Sequence, residues 1–184
     1  MNFKRREMHA TVREGYQILL RANGTLFLPT DKPNICSFYQ KTAKTCMRWA
    51  ETVCGERLRA EFLALEGMRE RSHFRTRRYE MRVHCVWEND VYATFLCESE
   101  LLGEWKMPQK NYHRTSQVWN LQEETILPLS QILRTFGFKL RKDMLPFRPD
   151  GIYPEEDSMV VFRNADDHNA FLEKKLPGEF GRRV

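Results

Sequence analysis

Six arginines, Arg69, Arg71, Arg75, Arg77, Arg78 and Arg82, fall between Gly67 and Arg82 against two glutamates, with Phe74 and Tyr79 set among them. Guanidinium groups fork onto phosphate or carboxylate oxygens, and interleaved rings offer stacking surfaces. The cluster is the candidate site for an anion or a partner. The competing explanation is a solvated helix-to-strand loop whose charge is balanced by the acidic stretch Asp150–Asp167. If Arg77 begins a strand on the face of Tyr79, then Arg78 and Glu80 point the other way. Only part of the cluster can then form one surface.

Other reactive residue types lack the spacing that chemistry needs. His9, His73, His84, His113 and His168 are scattered, with no HxxxH or HExxH and no CxxC nearby. A zinc site needs about four converging ligands, usually seeded by a local pair. His84 and Cys85 are adjacent, but neighbours on a strand face opposite ways. There is no GxSxG elbow, no GxxxxGK[ST] and no GxGxxG, so neither a serine nucleophile nor a phosphate-cradling loop is marked. The carboxylate runs Glu123-Glu124 and Glu155-Glu156-Asp157 lie in polar, turn-like stretches. No catalytic residue, metal or cofactor is expected.

Cys36, Cys46, Cys54, Cys85 and Cys97 are odd in number and irregularly spaced, unlike a secreted disulfide framework. Lys4, Arg5 and Arg6 are followed by the polar stretch His9–Tyr16 rather than an apolar signal segment. The expectation is a soluble cytoplasmic chain with reduced thiols. No apolar run approaches the ~18–20 residues of a membrane-spanning helix, so no membrane insertion is expected.

With 184 residues, the chain fits one domain. Hydrophobic residues make up 41% and charged residues 30%, a globular balance rather than a disordered one. The net charge of +5 is uneven. Residues 1–82 carry 17 Lys/Arg against 9 Asp/Glu, and residues 83–184 carry 13 against 16. A basic first half suits an anionic partner, although charge balance speaks first to solubility and association.

Residues 1–16 read as a basic N-terminal arm or short helix, 17–178 as one domain, and 179–184 as a basic tail. Apolar residues around Asn23-Gly24 suggest two short strands joined by that turn. Ile35, Tyr39, Ala43, Cys46, Ala50, Val53, Leu58, Phe62 and Leu65 recur at helical steps. Asn34 or Ser37 is the expected cap, Gly55 a kink or break, and Gly67 a C-cap. From Arg77 the period becomes two. Tyr79, Met81, Val83, Cys85 and Trp87 share one face, Asn89-Asp90 turns the chain, and Val91, Ala93, Phe95 and Cys97 repeat the pattern. After a loop at Gly103–Pro108, Asn111–Trp119 reads as a third strand and Leu129–Phe136 as a short helix ended by Gly137. A strand is expected over Ser158–Phe162, with a last helix from Asp166 through Leu176. The fold class is α+β, with an antiparallel sheet packed against one long helix in the N-terminal half and short C-terminal helices.

Several local patterns occur in a telling order. Leu28-Pro29 to Pro33 precedes the long helix, and the hairpin 79–97 follows it. Then come Tyr112-His113-Arg114-Thr115-Ser116-Gln117-Val118-Trp119-Asn120-Leu121 and Ile126-Leu127-Pro128-Leu129-Ser130-Gln131-Ile132-Leu133. Phe147-Arg148-Pro149-Asp150-Gly151-Ile152-Tyr153 then leads into Met159-Val160-Val161-Phe162. Over roughly residues 26–165 this order resembles a bacterial domain of unknown function. That domain occurs in the extracytoplasmic part of the anti-sigma-V factor and beside some peptidoglycan deacetylase domains. The resemblance implies a non-catalytic α+β sensing or binding domain and carries over no catalytic residue.

The leading expectation is thus a bacterial, non-enzymatic binding or regulatory domain for a protein or an anionic ligand. The second is a nucleic-acid-binding module using Arg69–Arg82. The third is a hydrolase or transferase whose site only the fold assembles. A deep pocket with converging ionisable groups would favour the third, and a flat basic face the second.

Overall fold

The computed structural model describes residues 1–103, 112–139, 145–165 and 170–177. The chain begins with strands β1 (Phe3–Glu14) and β2 (Gln17–Pro29), paired antiparallel over nearly their whole length. The first sixteen residues, read from sequence as an arm or helix, are therefore mostly strand. Met8, Ala10 and Val12 turn toward the interior, while His9, Thr11 and Arg13 stay in solvent. Gly15, at φ +54°, makes the reversal at no Cβ cost.

Asn23-Gly24 is not a turn. It lies mid-strand, where a Cβ on Gly24 would contact both Met47 and Met8. The Asn23 side chain bridges strands instead, pairing with His9 Nδ1 at 3.0 Å and donating to Glu80 Oε1 at 3.0 Å.

The long helical region is α1 (Pro33–Trp49), a π turn (Ala50–Cys54) and α2 (Gly55–Leu63). Pro33 occupies the first turn, where its missing N–H costs nothing. Neither Asn34 nor Ser37 caps the helix. Lys32 takes the cap position, and Glu124 from a distant turn accepts the Asn34 N–H at 2.7 Å. The wider π turn keeps Ala50, Cys54, Leu58 and Phe62 on the stripe begun by Ile35, Tyr39, Ala43 and Met47. Gly55 follows this turn without breaking the helix, at a point where a Cβ would come within 2.9 Å of Val12 Cγ2. The helix ends at Ala64. Gly67, expected as its C-cap, is an extended residue preceding the short α3 (Met68–Ser72).

That crossover returns β3 (Arg77–Glu88) parallel to β2, which requires such a long connection. The remaining strands, β4 (Tyr92–Leu102), β5 (Tyr112–Asn120) and β6 (Thr125–Ile126), follow antiparallel. The main sheet is thus mixed, ordered β1-β2-β3-β4-β5-β6. It packs against α1 and α2 as the α+β reading requires.

Short helix α4 (Leu129–Thr135) ends near Gly137 at φ +63°. A second antiparallel sheet follows: β7 (Gly151–Glu155), β8 (Ser158–Arg163) and β9 (Leu172–Pro177). Residues 172–176, expected to be helical, form an edge strand in which Leu176 alone is buried. The expected helix cap at Asp166, the loop after Gly103, the strand start at Asn111, His168 and the basic tail 179–184 lie outside the described residues. Two apolar cores result. One lies between the main sheet and α1–α2, and the other joins Leu96 and Val118 to α4 and the second sheet.

Gly151 stands where any side chain would enter the ring of the fully buried Phe162. Gly151→Ala should therefore lower stability by about 1–3 kcal/mol, the usual range for overpacking a core, read as a reduced denaturation midpoint with the slope unchanged.

Candidate binding face on the main sheet

Side-chain alternation along β3 divides the arginine cluster. Arg77 turns inward beside Tyr79 and is only 6% exposed. It pairs with Glu61 of α2 at 3.3 Å, donates to the Arg75 carbonyl, and lies 5.0 Å over the Phe74 ring. Arg71 donates to the Leu65 carbonyl at 3.1 Å and sits 5.6 Å over Phe62. Arg69 projects from α3 into solvent, and Arg75 is exposed in the loop before β3. A shallow recess of about 280 Å³ is lined by Leu65, Glu70, His73, Phe74, Arg75 and Arg77. Arg71 and Arg77 thus tie the α2–α3 segment and the start of β3 together.

Arg78 and Arg82 face the other way, with Glu80 between them, on the side of the sheet away from α1. In the parallel register Arg78 stands opposite Arg21 of β2, and both are exposed. No ion pair to either is found among the described residues. Like charges directly opposite in a sheet repel, so this pair gains from a bound anion. Arg82 lies 5.7 Å over Phe27 and borders two open recesses of about 290 and 270 Å³. One contains Phe3, Phe27 and His84, and the other Glu80, Glu98, Glu100 and Tyr112. The face carries both signs of charge.

Arg114 on β5 lies outside the arginine cluster and in no catalytic or metal-binding spacing. Its guanidinium is 14% exposed and pairs with Glu98 at 2.9 Å and with Glu173. It also lies 4.9 Å over Phe171, and Tyr112 donates to Glu98. Burial and the Glu98 hydrogen bond push the Tyr112 hydroxyl up to about 12. The readable signal is alternation, because Tyr112, Arg114 and Ser116 lie on the same face of the sheet as Glu98, the cross-strand partner of Arg114.

The acidic stretch expected to neutralise the cluster is engaged elsewhere within its described part. Glu155 pairs with Lys175, and Asp150 accepts the Asn164 N–H at 2.8 Å. Among the described residues no group of three His, Cys, Asp or Glu side chains converges as metal ligands. Burial pushes the Cys54 thiol up to about 11 and that of Cys85 to about 12. A cleft of about 220 Å³ between β5, α4 and β7 has Asp150 as the ionisable group among its described lining residues. It is smaller than the ~300–1,000 Å³ of ordinary ligand pockets. No described helix is long and apolar enough to cross a membrane.

No family model and no curated protein matches the chain. Solved structures do share its fold. A member of the DUF3298 family from Bacteroides fragilis aligns with a TM-score of 0.56 at 10% identity, covering 96% of this chain and 90% of its own. A DUF3298 family protein from Pseudomonas aeruginosa aligns with a TM-score of 0.56 at 13% identity, covering 96% and 91%. The fold is therefore that of a bacterial domain of unknown function.

The split of the cluster has a measurable consequence. Arg77→Ala leaves Glu61 without its partner and should destabilise by about 3 kcal/mol, as loss of one member of a buried pair does. Arg78→Ala should stay within about 0.5 kcal/mol, as surface changes do. Urea titrations of the two variants check this.

A second expectation concerns acid. Burial depresses the His84 imidazole below its ordinary value, and Glu98, with Oε2 3.7 Å from Nδ1, only partly opposes this. The unfolded chain then binds the proton more readily, so stability falls as pH drops below about 6.5 toward the lower folded value. Replacing His84 with Gln should flatten that part of the stability–pH curve.

Proposed function

We propose that this chain is a non-enzymatic binding domain whose outer sheet face takes an acidic segment of a partner protein. The observation that carries the proposal is the Arg21–Arg78 pair, two exposed like charges side by side in the β2–β3 register. Arg82 extends the same row about 13 Å along the strand from Arg78, at about 3.3 Å per residue. Each guanidinium offers a planar fork that fits a carboxylate. Glu80, Glu98 and Glu100 interleave with these arginines, so the separated carboxylates of an acidic peptide suit the face better than a continuous phosphate backbone. The resemblance of residues 26–165 to the domain of the anti-sigma-V factor and of peptidoglycan deacetylases supports a sensing or binding role.

The test is fluorescence anisotropy with a labelled glutamate-rich peptide at about 0.15 M salt, the ionic strength at which surface charges are already well screened. Changing Arg21 and Arg78 together to Ala should weaken binding about tenfold, a loss of about 1.4 kcal/mol, while Arg69→Ala with Arg71→Ala leaves it unchanged. Binding that ignores the Arg21–Arg78 change would defeat the proposal. If instead a labelled nucleic-acid strand binds tightly at that salt and loses binding with the same pair, nucleic acid replaces the acidic segment, and affinity should fall steeply with salt.

A further inference from the structure

Strand β1 is the outer strand of the main sheet, 12 residues long, and no described strand pairs with its far side. The other end of that sheet closes on β6, a strand of 2 residues. Short edges resist pairing with another chain, whereas long ones invite it. Which backbone groups lie open on β1 follows from its ladder with β2. The Thr30 N–H donates to the Asn2 carbonyl at 2.8 Å, and bonded and non-bonded pairs alternate along an antiparallel ladder. Even-numbered residues from Asn2 to Val12 therefore bond to β2, and Phe3 stands opposite Pro29, which has no N–H to offer. The bulge takes its extra residue from β2, since Val12 pairs with Leu20 and Arg13 with Ile18, so the alternation runs on to Arg13. The N–H and C=O groups of Arg5, Glu7, His9, Thr11 and Arg13 thus point to the open edge. The Arg13 carbonyl accepts from Arg59 at 3.4 Å and keeps a second lone pair. We propose that β1 pairs antiparallel with β1 of a second copy of this chain, about a two-fold axis at Ala10.

The open backbone groups and the charges select this register together. Outward groups must meet outward groups, so odd-numbered residues pair with odd and even with even. Centring on Ala10 sets Glu7 opposite Arg13 and Arg6 opposite Glu14, each once on either side of the axis. Met8 then faces Val12, and His9 faces Thr11. Opposite charges directly across a ladder attract, and like charges repel. An axis at His9 would instead set Arg5 against Arg13, and one at Met8 or Thr11 makes neither ion pair. Arg6 and Arg13 are exposed and have no ion pair among the described residues. Glu7 already pairs with Arg5, and Glu14 with Arg59, so each carboxylate would lie between two guanidiniums across the contact. Met8 and Ala10 are half-buried at the lip of the main core, and the second strand would cover them. A two-fold contact uses the same patch on both copies, which is why the patch must complement itself. Charges along an edge ordinarily keep other strands away; here their order favours a second β1. Arg78 and Arg82 take no part in this contact.

Sedimentation equilibrium of the folded full chain, from micromolar to submillimolar concentration, should show a reversible monomer–dimer equilibrium. Glu7→Arg brings two guanidiniums together at each former Glu7–Arg13 pair, and Arg13→Glu brings two carboxylates together. Each variant alone should raise the dissociation constant about tenfold or more. Mixed in equal amounts, the two variants are complementary again and should form a heterodimer about as tight as the wild-type dimer. Thr11→Pro removes an N–H that points to the open edge, where proline is tolerated, so it should prevent dimerisation while the far-ultraviolet circular dichroism stays native. Should Thr11→Pro lose that spectrum, the charge exchange decides alone. A wild type that stays monomeric, a dimer indifferent to both charge reversals, or single variants whose mixture fails to associate would each overturn the proposal.

Discussion

Strand β4 is buried on both faces from Ala93 to Cys97, and this double burial organises the molecule. Ala93, Phe95 and Cys97 face the helical layer, and Leu96 faces the second sheet. A strand walled on both sides cannot alternate apolar with polar, which explains the near-continuous run Ala93-Thr94-Phe95-Leu96-Cys97. It also makes β4 the shared wall of two cores. Helix α1 closes one through Tyr39, whose hydroxyl accepts the Trp119 indole N–H at 3.1 Å. The β7–β9 sheet closes the other through Ile152, Met159 and Val161.

Where the second sheet meets the first, apolar packing gives way to a polar seam. Arg114 joins Glu98 of β4 to Glu173 of β9, so one guanidinium spans three strands in two sheets. Asn164 reinforces it, accepting the Arg114 N–H at 2.7 Å and donating to the Arg114 carbonyl at 2.9 Å. Such a cation is tolerable only with carboxylates and hydrogen bonds around it, because desolvating it costs several kcal/mol. Phe162 and Phe171 supply ring faces to the same guanidinium.

What was legible in the sequence follows from how each element is buried. The helix from about 35 to 63 and strand β3 each bury one clear face for much of their length, so their periods show. Strand β1 hides its pattern among arginines, because as an edge strand it buries only Met8, Ala10 and Val12. Strand β9 buries little beyond Leu176, and its Glu-Lys-Lys stretch carries no period at all. Strand β7 contains Pro154, a residue that argues against a central strand but is tolerated at an edge. The Asn23-Gly24 signal misleads for a tertiary reason. Gly24 lies mid-strand, packed between Met47 and Met8 rather than in a turn. At the site, alternation separates Arg77 from Arg78, and that much is readable. The partner of Arg78 is not, since Arg21 arrives through a parallel pairing nearly sixty residues away in sequence.

The strand alternation that divides the arginines also separates the two faces of the sheet. Arg21, Arg78 and Arg82 lie on one side, and Tyr79, Cys46 and Cys97 on the other. Val83 stands opposite Cys97 while Arg82 stands opposite Glu98, so consecutive residues of β3 and β4 serve different surfaces. Because interiors are close-packed and transmit small displacements, the register of β3 against β4 is the physical element through which the two faces could influence one another. The bulge between Cys85 and Trp87, where that ladder is already interrupted, marks the end of the strand pair least constrained by it.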